Sequence, residues 1–313
     1  MWKFSLSNHI FLQKKLKLLM LGKLVICLLF AACLSSQEWY VSKQRGSDEN
    51  SGTKESPFAT IRKAYLKTKD GDQILIEPAA YSEDNRIEKS IRIRGIGGRP
   101  VVRGSFTFKG AHKCEISDID METTTTTLIY ADRVDYLKIY NMDFGPKYQK
   151  QGHAIQVVYS KMVEIANIKV HEVDVGISIS STQFSIKNAE ITKSKVGMSL
   201  GLNSKGVVDN STISHCEGSY NVMGGGISVN GDIALRNVNL LYNTAGVYKK
   251  TGGGFYCGGG GLNIFGGKII GNKAQYGAAG ECEQSCSIFI SGTEFKDNEG
   301  EYASKCRGVP SKK

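Results

Sequence analysis

The sequence predicts an all-β chain wound as one parallel β-helix, a solenoid with a short N-terminal capping helix, and three observations carry that fold class. The first is a recurring asparagine: Asn141, Asn167, Asn188, Asn210 and Asn237 each have an apolar residue two positions before and another three positions after. Gly95 and Asp118 continue the register upstream and Gly266 and Gly292 downstream, with steps of 23, 23, 26, 21, 22, 27, 29 and 26 residues. A self-similar period in the twenties marks a solenoid, in which each repeat buries its apolar face against its neighbours. The second observation is the residue type. Asn, Asp and Gly tolerate a left-handed backbone, so each of these positions reads as a corner between two short strands. Successive Asn at one corner can stack, their amides bonding along the column. The third is a further column, Ala154-Ile155-Gln156-Val157, Gly176-Ile177-Ser178-Ile179, Gly197-Met198-Ser199-Leu200 and Gly226-Ile227-Ser228-Val229. Alternation puts its apolar pair inside and Gln156, Ser178, Ser199 and Ser228 outside.

A leucine-rich repeat has a similar period and also carries an Asn, but it requires Leu at several fixed positions and a helical return segment. Here the apolar positions mix Ile, Val, Leu, Phe, Met and Ala, and the intervals hold Gly, Ser and Thr.

Residues 1–36 read as an export signal. Lys14, Lys15, Lys17 and Lys23 precede the apolar run Leu24 to Ala32, and small residues follow, with cleavage placed near Ser35 or Ser36. Met20 is an alternative start that leaves a shorter signal, and the apolar run is short for a membrane span. Residues 37–72 form the expected N-terminal cap. Ser56-Pro57 reads as the start of a short helix with Phe58, Ile61, Ala64 and Tyr65 on one face, ended by Gly71-Asp72. Its expected role is a lid over the apolar end of the solenoid. Residues 73–300 are the expected β-helix and 301–313 a C-terminal tail.

The chain carries +10 at neutral pH. The signal region holds five Lys and no acid, which leaves 35 basic against 30 acidic residues, or +5, for the remainder. No nucleic-acid motif accompanies that weak excess, so nucleic acid is not an expected partner.

The run Tyr40-Val41-Ser42, Gly46-Ser47-Asp48, Ser56-Pro57-Phe58-Ala59-Thr60-Ile61, Gly71-Asp72, Tyr81 and Lys89 to Gly95 resembles the start of pectin-lyase-like β-helix proteins. That resemblance implies the right-handed form of the helix and extracellular use. It does not imply catalysis, because one fold hosts lyases, hydrolases, esterases, adhesins and inert surface proteins. From Gly224 onward, Gly-rich elements alternate with Tyr242-Asn243, Gly271-Asn272 and Phe295-Lys296-Asp297-Asn298. This end is similar to polymorphic outer-membrane-protein repeats, a likeness that implies display of an adhesive surface.

Chemistry is sparse in this reading. The column headed by Gln156 offers hydroxyls and one amide, whereas glycoside hydrolysis needs two carboxylates and a lyase needs a base, commonly with calcium. A second outward column lies two residues after each corner, and in it Asp120 and Asp143 form a possible cation site as vertical neighbours about 5 Å apart. A solvated face of mixed charge is the plainer expectation there. Arg92, Arg94, Arg99 and Arg103 form a basic cluster able to hold an anionic sugar, and His153, His171 and Asp174 can converge at a coil edge. Asn210-Ser211-Thr212 is a glycosylation sequon, expected to be poorly modified because Asn210 belongs to the ladder.

Six cysteines lie beyond the signal. Repeat alignment sets Cys257 one coil from Cys282, at a spacing that suits a disulfide, and leaves Cys286 with Cys306 to tie down the terminus. Zinc at Cys282 and Cys286 is the alternative. No resident metal or cofactor is expected, calcium entering only with lyase chemistry. The function expected first is an exported β-helix protein that binds extracellular glycans or surface proteins in an adhesin-like or matrix role. A polysaccharide lyase or glycoside hydrolase is the alternative.

Overall fold

The computed structural model describes residues 36–123, 127–146, 152–218, 223–247 and 250–310. The export signal at 1–36 therefore lies outside the described residues, apart from Ser36. From Glu38 onward the chain winds as a right-handed parallel β-helix of about nine turns.

Each full turn contributes one strand to a nine-stranded sheet and then crosses an 18-stranded sheet in two arms. β10 (Ile129–Asp132) and β11 (Tyr136–Pro146) form one such turn, followed by β12 (His153–Val158) with β13 (Met162–His171), then β14 (Val175–Ser180) with β15 (Gln183–Thr192). All pairings are parallel and in strict register, with Ile139 against Ile165 and then Ile186, and Phe144 against Val170 and then Ile191. Those columns are fully buried. Each such side chain contributes about 1.5–3 kcal/mol relative to exposure, and a one-residue slip would turn a whole set to solvent.

The asparagine corner separates the two arms. Asp118, Asn141, Asn167, Asn188, Asn210 and Asn237 have φ between 47° and 59°, and Gly266 and Gly292 share the left-handed form. Four of the five Asn amides donate to the side-chain oxygen one coil above: Asn141 to Asp118 at 3.3 Å, Asn167 to Asn141 at 3.2 Å, Asn188 to Asn167 at 2.9 Å and Asn237 to Asn210 at 3.3 Å. No such bond joins Asn210 to Asn188 among the described residues. Gly95 departs from the expected corner, since its φ is not positive. It is glycine because a Cβ there would stand 2.0 Å from the Asp118 carbonyl oxygen.

A second ladder runs inside the C-terminal coils. The Asn272 amide donates to the Leu240 carbonyl at 2.8 Å and to Asn298 Oδ1 at 3.0 Å, while its own Oδ1 accepts from the Asn243 backbone N–H at 2.9 Å. Asn243 and Asn272 are completely buried. Their amides satisfy corner backbone groups that would otherwise be stranded in the core.

The cap differs from its expected form. Helix α1 spans Ile61–Lys67 with Thr60 as N-cap, its hydroxyl accepting from the Lys63 N–H at 3.1 Å. Ser56 and Pro57 precede it outside the helix, because Phe58 bridges to Val41 and exchanges hydrogen bonds with Tyr40 and Ser42. Phe58, Ile61 and Ala64 are nonetheless buried together over the first coils.

The disulfides are Cys257–Cys286 and Cys282–Cys306, which corrects the expected pairing. Cys257 and Cys282 are register partners in β22 (Phe255–Cys257) and β25 (Gly280–Cys282). Side chains of parallel register partners project side by side at the full strand spacing of about 4.8 Å, wider than the Cβ separation a disulfide prefers. Each sulfur instead bonds across a bend, to Cys286 at the start of the next strand or to Cys306 in the tail. Cys114 and Cys216 are buried and take no part in these disulfides.

Candidate functional site

The second arm carries the charged outward column. Asp120, in β9 (Asp120–Thr123), pairs in register with Asp143. Asp143 pairs with Lys169, Lys169 with Glu190, and Glu190 with Thr212. Two residues further on, Glu122 faces Gly145, and His171 faces Thr192. Parallel in-register pairing alone brings these groups together, because residues at one repeat position become neighbours about 4.8 Å apart.

Ion pairing divides this column in two. Arg99 donates to Asp120 at 2.6 Å and Arg103 to Glu122 at 2.8 Å, so the upper carboxylates are matched by the chain's own cations. Asp120 and Asp143 are adjacent, and Arg99 occupies Asp120. Among the described residues no three His, Cys, Asp or Glu side chains are grouped to hold a metal. Calcium does not fit this donor set, whose upper carboxylates are held by Arg99 and Arg103.

The lower half is open. The His171 ring leans over the coil above and occupies the space that a side chain at 145 would fill: a Cβ on Gly145 would lie 2.2 Å from its Cε1 and 2.5 Å from its Nε2. That tilt brings His171 Nε2 to 3.6 Å from Asp143 Oδ1, with the two side chains 47% and 41% exposed. Asp143 Oδ1 is itself shielded and has no hydrogen-bond partner among the described residues. The distance exceeds a formed hydrogen bond, and such catalytic contacts commonly tighten when a ligand binds. Lys169 is exposed beside this pair and has no ion-pair partner among the described residues. A shallow cleft of about 230 Å³ lies against Lys169, His171, Glu172, Glu190, Thr192 and Lys193.

The other expected residues fall elsewhere. Arg92 and Arg94 lie in β5 (Arg92–Gly95) on the first arm, across the asparagine corner from Arg99 and Arg103, so the expected basic cluster is split. Arg94 pairs with Asp118 at 3.1 Å. His153 opens β12, and burial lowers its pKa, against the opposing charge of Asp174. Asp174 is engaged by Lys195 and accepts from the Gly152 N–H at 3.2 Å.

The outer column of the nine-stranded sheet joins Gln156, Ser178, Ser199 and Ser228 in register and then extends to Tyr256 and Glu281. Sequence reasoning did not carry the column that far. Glu281 is 3% exposed and its pKa is raised, chiefly by burial. Lys305 covers it, its backbone N–H donating to Oε2 at 3.2 Å.

Residues 44–288 match the family described as protein of unknown function (DUF1565). The chain belongs to that family. No curated protein matches it. Among solved structures, an alginate lyase from Paenibacillus sp. str. FPU-7 aligns with TM-score 0.58 and 14% identity over 77% of this chain and 95% of that one. The pectate lyase Pel9A aligns with TM-score 0.42 and 14% identity over 83% and 79% of the two chains. A pectin methylesterase solved with a hexasaccharide aligns with TM-score 0.43 and 13% identity over 75% and 82%. At such identities the first of these establishes the fold that the family member adopts.

Proposed function

We propose that this DUF1565 protein is an exported polysaccharide lyase, acting on a uronate-containing glycan at the open face of Asp143, Lys169 and His171. The observation that carries the reading is the Asp143–His171 pair beside an unpaired lysine on an exposed strand face. β-Elimination needs a cation to neutralise the uronate carboxylate, a base to remove the proton α to it, and a proton for the departing oxygen. Lys169 is the cation and the His171 imidazole the base. Asp143 orients the ring and stabilises the imidazolium that forms. The protonated imidazole then returns the proton to the leaving oxygen. The alginate lyase of the same fold is consistent with an acidic substrate.

Export from a signal at 1–36 belongs to the same proposal, and the two disulfides support it, since such bonds persist in oxidising compartments. The division into a 37–72 cap, a 73–300 helix and a 301–313 tail is part of the reading too. The adhesin-like role expected first, with its likeness to polymorphic outer-membrane-protein repeats, is the weaker alternative: it gives no reason for the histidine–carboxylate pair.

The test is release of unsaturated ends from alginate, polygalacturonate and neutral glycans, measured by ultraviolet absorbance for the wild type, His171→Ala and Lys169→Ala. Product from an acidic glycan that both substitutions abolish supports the lyase. Glycan retention without product supports the binding role instead.

A further inference from the structure

The corner that ends the second arm borders the cleft beside His171 and recurs down the solenoid. Glu172, Lys193, His215, Tyr242 and Asp297 occupy this corner, each with φ between 52° and 57°, and Gly271 takes the same place between Tyr242 and Asp297 with φ of 66°. The column is therefore regular, and its side chains project from one edge at one rung per coil.

Two of its rungs form an aromatic platform. The rings of His215 and Tyr242 stand 5.4 Å apart. Below them, a Cβ on Gly271 would lie 2.4 Å from Tyr242 Cδ1, so the Tyr242 ring lies over the bare backbone of the next coil. Tyr242 is held from both sides and is still 54% exposed. An ordered, exposed ring of this kind contributes nothing to the apolar core, since the inward neighbour Leu240 fills that role. Lys193 is exposed between the platform and His171, without an ion-pair partner among the described residues.

We infer that the His215–Tyr242 platform is a sugar-binding subsite, three coils from His171, that stacks a pyranose ring of an acidic glycan lying along the solenoid axis. The inference rests on the proposed lyase reading for its substrate class. Three rungs of about 4.8 Å separate the His171 turn from the Tyr242 turn, roughly 14 Å. An extended 1,4-linked glycan advances by nearly one rung per residue, so the platform meets the third sugar beyond the one at His171. The carboxylate of the next residue passes Lys193, one coil on, and the apolar face of the third ring lies on Tyr242.

The experiment compares trimers and hexamers of galacturonate and of alginate on the full chain, by calorimetric binding to His171→Ala and by turnover with His171 intact. Tyr242→Ala is expected to weaken hexamer affinity and raise hexamer KM about tenfold, leave kcat unchanged and leave trimers unaffected. Tyr242→Phe, which keeps the ring, is expected to behave as wild type. If no variant turns over but hexamer binding still depends on the ring at 242, the subsite stands and the lyase reading falls. Turnover that is insensitive to Tyr242→Ala, equal effects on trimer and hexamer, or no binding of either oligomer series overturns the subsite.

Discussion

Gly145→Ala separates the chemistry of the proposed site from the stability of the coil. The backbone at Gly145 is ordinary strand, outside the left-handed positions of the chain, so alanine is conformationally acceptable and the perturbation acts through its Cβ. That atom would stand 2.2 Å from His171 Cε1, where carbon contacts settle at about 3.5 Å or more. The ring must withdraw by more than about 1 Å. His171 Nε2 is already 3.6 Å from Asp143 Oδ1, so withdrawal ends the pairing. A displacement of about 1 Å in a catalytic group costs on the order of a hundredfold in rate, and that is the expected fall in kcat on the best acidic glycan. The ring is half exposed and free to swing outward, so stability should change by less than about 1 kcal/mol, within the range of surface substitutions. Product formation, thermal melting and the imidazole NMR titration are read on the same sample. An imidazole signal that has moved, in a protein that still turns over at the wild-type rate, would refute the role of His171 as base.

Three further outcomes concern the frame around that site. Asn272→Ala strands the Leu240 carbonyl and the Asn243 backbone N–H in the core, and at about 1–3 kcal/mol for each unmet group the urea midpoint should fall by about 2–6 kcal/mol of stability. Glu281 has a raised pKa in the fold, so its contribution is fully present below the unfolded value and is lost as pH rises through the raised one. Glu281→Gln should therefore gain stability relative to wild type across that window and show no difference below it, as measured by denaturation at stepped pH. Removing the Cys282–Cys306 bridge, which spans 24 residues, with Cys282→Ser and Cys306→Ser should cost about 3 kcal/mol and expose the last coil to proteolysis first.

The repeat was legible because each coil needs a left-handed corner, and only a few residue types meet that need without strain. Asn167 and Asn188 declare the corner, and the apolar residues on either side declare which arm faces inward. The inner ladder was legible in principle as well: Asn243, Asn272 and Asn298 recur at spacings of 29 and 26 residues. What the spacing does not reveal is that these amides turn into the core while those of the first ladder face out. The Asp143–His171 pair is of another kind. His171 reaches Asp143 only because a ring in one coil leans across a glycine in the coil above, and a vacancy one coil away leaves no periodic trace in the chain. Cysteine pairing failed for a related reason: repeat alignment identifies register partners, and the disulfides cross bends instead.

The same geometry explains why the second arm, and not the nine-stranded sheet, presents reactive groups. The outer column of that sheet ends in Ser228, Tyr256 and Glu281, which are all buried although they project away from the core. The turns that enter these strands fold back over them. Gly224 and Gly252 press on Tyr256, where an added Cβ would come within 3.2 Å and 3.1 Å of its Cβ, and Gly277 would meet Glu281 Oε2 at 2.4 Å. The glycine-rich signature of the C-terminal repeats is thus a covering device, and Glu281, the carboxylate with the raised pKa, is sealed beneath it and by Lys305. A raised pKa often marks a catalytic acid, but a group that no substrate can reach has no such role, and burial accounts for the shift by itself. On the second arm Lys169 remains exposed, as does Lys193 at the corner that follows it. The proposed role of His171 rests on accessibility more than on the strength of any perturbation.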